Sequence, residues 1–262
     1  MTGRLRFGCM GWQEKDWIGP FYPERTKTDE MLPLYARKFA AVEVDSTFYG
    51  RPRETTIEKW REAVPDDFQF GLKVPREVTH TRHFENAEQV FTYFVERVRK
   101  LETKLGAILF QCPRSFAPTS ANRERLYAFI DEQLPLDEHV VLELRHSGWF
   151  DDELFKLARS KRLALTATEG PYSSLELAER ILIEQGSELD FAYVRLMGKE
   201  PFEHYDRVQA DRSESLDVWT RLIGEVRTRV KDVYLFVSDD YSGFSPATVD
   251  DLLARLGEPR PQ

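Results

Sequence analysis

The feature that most constrains the fold of this chain is a regular alternation of short β-branched or aromatic segments with longer segments of helical character. Eight segments read as strands: residues 4–9, 41–44, 68–74, 107–111, 139–144, 163–166, 191–196 and 233–237. Eight helical segments follow them in turn: residues 29–39, 55–64, 87–104, 122–133, 151–160, 174–185, 215–230 and 247–256. Strand and helix, repeated eight times in about 250 residues, predict an α/β fold, a (β/α)8 TIM-type barrel.

The main alternative is an open doubly wound sheet, which usually has a glycine-rich phosphate turn after an early strand. Here the turn after the first strand reads Gly-Cys-Met-Gly-Trp over residues 8–12 and lacks the third glycine of that motif. We therefore favour the barrel. Because no repeat or linker divides the chain, residues 1–256 are predicted to form a single domain, with 257–262 as a loose tail.

The composition is typical of a folded chain with a net negative charge. Of 262 residues, 41% are hydrophobic, which is enough for a large core. The 37 basic and 45 acidic residues give a net charge of −8, so nucleic acid or an anionic membrane would need a local basic patch. The two cysteines form no disulfide framework, no apolar run approaches the roughly 18 residues of a membrane span, and no secretory signal is visible. We expect a cytoplasmic protein.

Alternation within the predicted strands turns a set of charged residues toward the barrel interior. In the fifth strand, Val140, Leu142 and Leu144 share the face that packs on helices, so Glu143 and Arg145 face inward. The same reasoning turns inward Glu43, Asp45, Lys73, Gln111, Thr166, Thr168, Tyr193 and Arg195. Most of them lie near the carboxyl ends of strands, where barrel enzymes have their active sites. The set is either a structural ion-pair network or a ligand pocket, and we favour the pocket because buried ion pairs add little net stability.

Seven ordered motifs give the chain a resemblance to a known family. They are FGCMGWQEKDWIGPFYP (7–23), YARKFAAVEVDSTFYGRP (35–52), FQFGLKVPREVTH (68–80), LGAILFQCPRSF (105–116), VLELRHSGWF (141–150), FAYVRLMG (191–198) and YLFVSDDYSG (234–243). These segments resemble the YecE-like family, also called domain of unknown function 72. The resemblance implies a TIM-type barrel and supplies no activity. It implies these motif residues: Trp12, Glu43, Thr47, Tyr49, Lys73, His80, Gln111, Glu143, Arg145, His146, Trp149 and Arg195.

The sequence departs from the family pattern at several motif positions. Asp45 stands where asparagine is usual, Met197 where histidine is usual, and Gly148 where serine is usual. Ser238 and Asp239 replace a pair of asparagines. These departures leave open whether this chain has a different ligand from its relatives.

Several chemistries are compatible with the inward residues. Glu43 and Glu143 would serve as general acid and base, unless both are simply salt-bridged. Lys73 would be a desolvated amine, although an ion pair with Glu43 is the alternative that we favour. Arg145 and Arg195 have the planar fork that binds carboxylates and phosphates. A cationic loop follows the third strand and contains Arg76, His80, Arg82 and His83.

We therefore predict a metal-independent, cofactor-free enzyme that binds a small phosphorylated or carboxylated substrate, sugar-like ones included. Its catalytic residues would be Glu43, Lys73 and Glu143. Its ligand-binding residues would be Trp12, Asp45, Tyr49, His80, Gln111, Arg145, His146, Trp149, Arg195 and Asp239. A metal site of Glu43, Glu143, His146 and Asp239 is disfavoured, because Lys73 and two arginines compete with a cation. Alternatives are a nucleic-acid-binding or phosphodiester-processing protein, a non-catalytic ligand-binding protein and, less favoured, a glycosidase.

Overall fold

A computed structural model describes residues 2–134, 137–185 and 189–259 of the chain. The described residues contain nine strands: β1 Arg4–Cys9, β2 Ala41–Val44, β3 Gln69–Lys73, β4 Leu105–Cys112, β5 Val140–Leu144, β6 Ala164–Leu165, β7 Ala167–Glu169, β8 Phe191–Leu196 and β9 Asp232–Val237. Every pairing between them is parallel. The prediction of an α/β fold built on parallel strands is confirmed.

Helices follow most of the strands, as the alternation predicts. The α-helices are α1 Thr28–Ala36, α2 Ser46–Tyr49, α3 Glu54–Glu62, α4 Glu88–Val98, α5 Ser120–Gln133, α6 Asp152–Ser160, α7 Leu175–Gln185, α8 Ser213–Val226, α9 Asp239–Ser242 and α10 Ser245–Leu256. The predicted helix over 87–104 is α-helical only to Val98 and continues as 3-10 turns, with Glu102 at a φ of 55°. The single-turn helices α2 and α9 are too short to leave a periodic pattern in the sequence.

The strands form two parallel sheets, with the orders β1-β9-β8-β7 and β2-β3-β4-β5-β6. Both pairs of sheet edges are close together. Met10, just after β1, forms a parallel bridge with Glu43 of β2. At the other edge, a single residue, Thr166, separates β6 from β7, and its backbone N–H donates to Leu142 O at 3.1 Å. The sixth predicted strand is therefore present as two short strands that belong to different sheets.

Two apolar clusters pack on opposite faces of the strands. The larger lies between strands and helices and includes Val42, Leu72 and Leu142. The smaller joins the inner faces of both sheets, and its buried members are Ala41, Ala107, Leu109, Val141, Ala164, Leu189, Phe191, Tyr193, Tyr234 and Phe236. This division confirms the predicted alternation in the strands. The charged residues lie beyond the smaller cluster, at the carboxyl ends of the strands, and form a second layer of the interior.

The described part of the chain has no helix that is long and apolar enough to cross a membrane. Gly257, at the start of the predicted tail, ends α10 in a left-handed conformation with φ of 68°. Glycine adopts this conformation without the strain that a side chain would add. Residues 260–262 of the predicted tail lie outside the described residues.

Candidate functional site

An arginine and two glutamates form the centre of the charged layer. Arg195 of β8 donates from Nε to Glu43 Oε2 at 3.0 Å and from Nη2 to Glu43 Oε1 at 2.7 Å. Its Nη1 donates to Glu143 Oε2. The three side chains are 2%, 0% and 4% exposed, in the order Arg195, Glu43, Glu143. All three charges are thus paired away from solvent, as buried charges need to be.

Tyr193 and Gly71 explain how Glu43 is held. Tyr193 lies two residues before Arg195 on the same strand and donates its hydroxyl to Glu43 Oε2 at 2.7 Å. Gly71 is the register partner of Glu43 on β3. A Cβ atom at position 71 would lie only 2.7 Å from the Tyr193 hydroxyl, so glycine leaves the space that the tyrosine occupies.

Arg145 extends this network toward the surface. Its Nε donates to Glu143 Oε1 at 2.7 Å, so both oxygens of Glu143 have partners. Its Nη2 lies 3.9 Å from the sulfur of Met197, and its guanidinium carbon lies 5.2 Å from the centre of the Tyr172 ring. The Arg145 side chain is 23% exposed. Within the described residues Nη1 has no hydrogen-bond partner, so one edge of this guanidinium remains open.

Burial and the shared arginine move the pKa values of the two glutamates in opposite directions. Burial raises the pKa of Glu43 above its ordinary value, and the attraction of Arg195 opposes this only in part. Burial also acts on Glu143, but Arg195 and Arg145 together outweigh it and lower its pKa to about 2. Two carboxyl groups of one network therefore differ in their affinity for a proton.

Lys73 pairs with Asp45, and not with Glu43 as the favoured alternative in the sequence analysis had it. Its Nζ lies 3.1 Å from Asp45 Oδ1 and 4.4 Å from the centre of the Phe48 ring. Glu43 is unavailable because Arg195 and a tyrosine hydroxyl already occupy both of its oxygens. Asp45 is one of the positions at which this sequence departs from the family pattern.

His80 lies beside this pair, in a turn that follows β3. Its ring packs edge-on against Phe48, with the ring centres 4.8 Å apart. Burial lowers the pKa of His80 to about 4, and the positive charges of Lys73, Arg145 and Arg76 add to the effect. The imidazole is therefore neutral at pH 7. The same shift indicates that several positive charges lie near His80, at the carboxyl ends of the strands.

Two predicted aromatic ligand residues pack in the core between strands and helices. Trp12 is 5% exposed and meets Trp60 edge-on, with 5.5 Å between ring centres. Trp149 is fully buried, stacks on Phe116 at 5.3 Å and donates its indole N–H to Phe116 O at 2.6 Å. The contacts of both rings are therefore with core residues and not with a ligand site.

Three further predicted ligand residues also lie away from the network. His146 caps a short turn, where its Nδ1 accepts from the backbone N–H of Gly148 at 3.1 Å. Asp239, the first residue of α9, accepts from the N–H and hydroxyl of Ser245 at 2.8 and 2.7 Å, and burial raises its pKa to about 6. Tyr49, the last residue of α2, is 81% exposed.

Gln111 lies next to the network but without a bond to it. It is the register partner of Glu143 on the neighbouring strand and is 3% exposed. Its Oε1 has no hydrogen-bond partner among the described residues. Thr168 is the register partner of Arg195 and is 4% exposed. Its hydroxyl likewise has no hydrogen-bond partner among the described residues.

The structure adds residues to the site that sequence reasoning did not select. Met10 and Met197 place their sulfur atoms against Arg195 and Arg145, at 3.5 and 3.9 Å. Tyr172 lies in a loop after β7, where no periodic pattern points to it. Tyr193 did carry a signal, since alternation turned it inward together with Arg195.

The two central carboxylates are already held by arginine side chains, which leaves no room for a metal ion between them. The described residues contain no group of three or more His, Cys, Asp or Glu side chains that would hold a metal ion. Arg195 fills the space between Glu43 and Glu143, and together with Arg145 it balances their charge. A metal ion there would have to displace a guanidinium that makes three hydrogen bonds to carboxylates.

The chain is similar to a known family and to several known proteins. A family described as "Protein of unknown function DUF72" matches residues 6–262. The protein named UPF0759 protein YecE of Escherichia coli K12 is 32% identical over 119 residues. That match covers 45% of this chain and 43% of the E. coli protein, so it spans less than half of this curated relative.

Two solved structures resemble the chain over almost its whole length. A DUF72 family protein from Thermotoga maritima MSB8 is 26% identical, with a TM-score of 0.79 and coverage of 97% of this chain and 99% of that one. A glycoside hydrolase family 5 enzyme from Prevotella bryantii is 10% identical, with a TM-score of 0.53 and coverage of 97% and 94%. At that identity the second likeness concerns the fold alone.

Proposed function

The chain belongs to the DUF72 family of proteins of unknown function, and we propose that it binds a small phosphorylated or carboxylated molecule at the carboxyl end of its strands and acts on it as an enzyme. The observation that carries this proposal is the open edge of Arg145. Glu143 fixes the Nε side of that guanidinium at 2.7 Å, while Nη1 remains without a partner in the described residues. A fork that is held on one side and open on the other suits an incoming anion.

The surrounding charges support an anionic ligand. Every carboxylate oxygen of Glu43 and Glu143 already accepts a hydrogen bond. The two glutamates and Arg195 therefore act as a fixed frame that orients Arg145. Lys73 is neutralised by Asp45, whose side chain is 41% exposed and therefore accessible to exchange its partner. His80 is neutral at pH 7 and can offer a hydrogen bond without adding charge.

We also propose that the two sheets form one closed (β/α)8 barrel. The Met10–Glu43 bridge joins the edges at β1 and β2. Thr166 joins β6 to β7 through a single residue that itself bonds to Leu142 of β5. Gly8 supports closure, because a Cβ atom at that position would lie 1.8 Å from Ala41 O. Barrel closure brings the ends of β2, β5 and β8 around one mouth.

A thermal-shift experiment with inorganic phosphate, acetate and a short single-stranded DNA tests the binding proposal. Wild-type protein is expected to melt at a higher temperature in millimolar phosphate or acetate, since a ligand that binds only the folded state stabilises it. The Arg145→Met variant is expected to lose that increase. Each shift is measured against the same variant without ligand, so that a change in basal stability cancels.

Arg221→Met is the matched control. Arg221 lies on α8 and forms exposed ion pairs with Glu225 of the same helix and with Glu179 of α7. It is expected to respond to phosphate as the wild type does. An unchanged response of Arg145→Met would contradict the proposal. A response to DNA alone would favour the nucleic-acid alternative, and its steep loss with salt would identify phosphate contacts.

A second candidate assigns acid–base chemistry to Glu43 and Glu143. It is favoured by the opposite directions of their pKa shifts, which is how paired carboxyls divide the roles of acid and base. Because both carboxylates are saturated, a substrate would have to displace Arg145 from Glu143 before a proton could move. A Glu143→Gln variant that still binds phosphate but takes up no proton on binding would support this candidate.

A further inference from the structure

Two buried polar side chains border the Arg195–Glu143 pair and lack partners. Gln111 lies beside Glu143 across β4 and β5, and Thr168 lies beside Arg195 across β7 and β8. Neither Gln111 Oε1 nor the Thr168 hydroxyl has a hydrogen-bond partner within the described ranges. Buried polar atoms in folded proteins nearly always have one. We therefore expect Gln111 Oε1 and the Thr168 hydroxyl to form hydrogen bonds with groups from outside the described protein residues.

The space beside Thr168 limits the size of that group. A cavity of about 10 Å³ is bordered by Thr168, Glu143, Arg145 and Tyr172, and it has room for one oxygen-sized group. Tyr172, on its outer side, is 40% exposed. A ligand at the mouth would thus insert a single small group beside Thr168 while its remainder stays near Arg145 and Tyr172.

The chemistry of the neighbours determines what that group is. The Thr168 hydroxyl can both donate and accept a hydrogen bond, which matches a neutral hydroxyl group. An anionic oxygen in the same place would lie close to the Glu143 carboxylate and be repelled. The anionic part of the ligand therefore belongs at Arg145, and the inner part is uncharged and polar.

Resting on the anion site proposed above, we infer that the ligand is a hydroxylated anion, of the class of polyol phosphates and polyhydroxy acids. Thr168 binds one of its hydroxyl groups in the small cavity, and Arg145 binds its phosphate or carboxylate. Nothing in the sequence motifs assigns a ligand role to Thr168. This inference narrows the proposed substrate from any small anion to one with at least one hydroxyl next to its charged group.

Calorimetric titration with two matched pairs of probes tests the inference: glycerol 3-phosphate against propyl phosphate, and glycerate against propanoate. Within each pair only the hydroxyl groups differ. The wild type is expected to bind the hydroxylated member at least about tenfold more tightly, since each good hydrogen bond contributes on the order of one such factor. Thr168→Val is expected to abolish the preference while it retains binding of propyl phosphate, whereas Gln111→Leu, which does not border the cavity, is expected to keep the preference.

Two further variants make the outcome specific. Thr168→Ser keeps the hydroxyl and is expected to keep the preference. Thr248→Val removes a buried hydroxyl that is bonded to Ser242, away from the charged network, and is expected to change nothing in binding. Equal binding of both members of each pair by the wild type would overturn the inference and leave the anion site standing. Absence of binding by all four probes would overturn the anion site as well.

Discussion

The space between the two sheets is filled in one way near its middle and in another at the carboxyl ends of the strands. In the middle, small residues of one sheet face large rings of the other: Ala41, Ala107 and Ala164 against Phe191, Tyr193, Tyr234 and Phe236. At the carboxyl ends, Glu43, Glu143, Arg145 and Arg195 fill the space with paired charges.

The two layers place different demands on their residues. The apolar layer depends on volume, because close-packed side chains lose dispersion contacts when a gap opens. The charged layer depends on complete pairing, because a buried charge without its partner keeps its desolvation penalty. Tyr193 belongs to both layers, since its ring packs 5.3 Å from Phe236 and its hydroxyl bonds to Glu43. The comparison indicates that volume governs the apolar layer, whereas charge pairing governs the charged layer.

The largest expected effect follows from Arg195→Met. It leaves Glu43 and Glu143 buried without their shared cation, so the free energy of unfolding is expected to fall by about 3–5 kcal/mol. Urea denaturation measures the loss. The triple variant Glu43→Leu, Glu143→Leu, Arg195→Met is expected to recover most of it, because the only charge it leaves unpaired is that of Arg145, whose side chain is 23% exposed to solvent.

Arg227→Met is the control for Arg195→Met. Arg227 is also buried, but it bonds to Gly3 O and Glu258 outside the space between the sheets. Its replacement is expected to lower stability by less, about 1.5–3 kcal/mol, the usual range for a hydrogen bond that involves a charged group. If Arg195→Met were no worse than this control, the charged layer would not depend on complete pairing.

An intermediate effect is expected where the two layers meet. In Gly71→Ala the added methyl group would lie 2.7 Å from the Tyr193 hydroxyl and 3.3 Å from the Phe236 ring, so both must move. Overpacking of this kind lowers the free energy of unfolding by about 1–3 kcal/mol. Thermal denaturation checks it, with Gly224→Ala as control because nothing lies near a Cβ atom there. If Gly71→Ala left the free energy of unfolding unchanged, the packing of Tyr193 and Phe236 against position 71 would not be tight.

The smallest expected effect concerns pH and His80. Its pKa is lowered to about 4 in the folded protein, so between pH 6.5 and 4 the unfolded chain binds a proton that the folded chain does not. The free energy of unfolding therefore decreases as pH falls through this window, by on the order of 1 kcal/mol after solvent screening of a half-buried ring. Denaturation of wild type and His80→Gln across the window checks the sign. An identical pH profile for the two proteins would contradict it.

Much of the interior could be predicted from strand alternation. The rule that neighbouring residues of a strand face opposite sides identified Glu43, Glu143, Arg145 and Arg195 before any coordinates. It could not identify their partners. Lys73 pairs with Asp45, because Arg195, 152 positions away from Glu43, already holds that glutamate. Such pairing depends on the register between strands, which no short-range pattern encodes.

The loop residues were harder to predict for a related reason. Trp12 and Trp149 stand in motifs at the mouth, yet their rings turn into the core between strands and helices. His146 caps its own turn. A loop side chain has no periodicity to fix its direction, so position in the sequence gives the neighbourhood of a loop residue and not its orientation.

What the sequence by itself determined was the alternation of strand and helix, the family, and the set of charged residues that turn inward, because these follow from local periodicity and ordered motifs. Only the tertiary structure decided which charges neutralise one another, that one edge of Arg145 stays open, and that Gln111 and Thr168 are buried without partners. Those properties arise from contacts between residues far apart in the chain, where the position of each side chain depends on all the others packed around it.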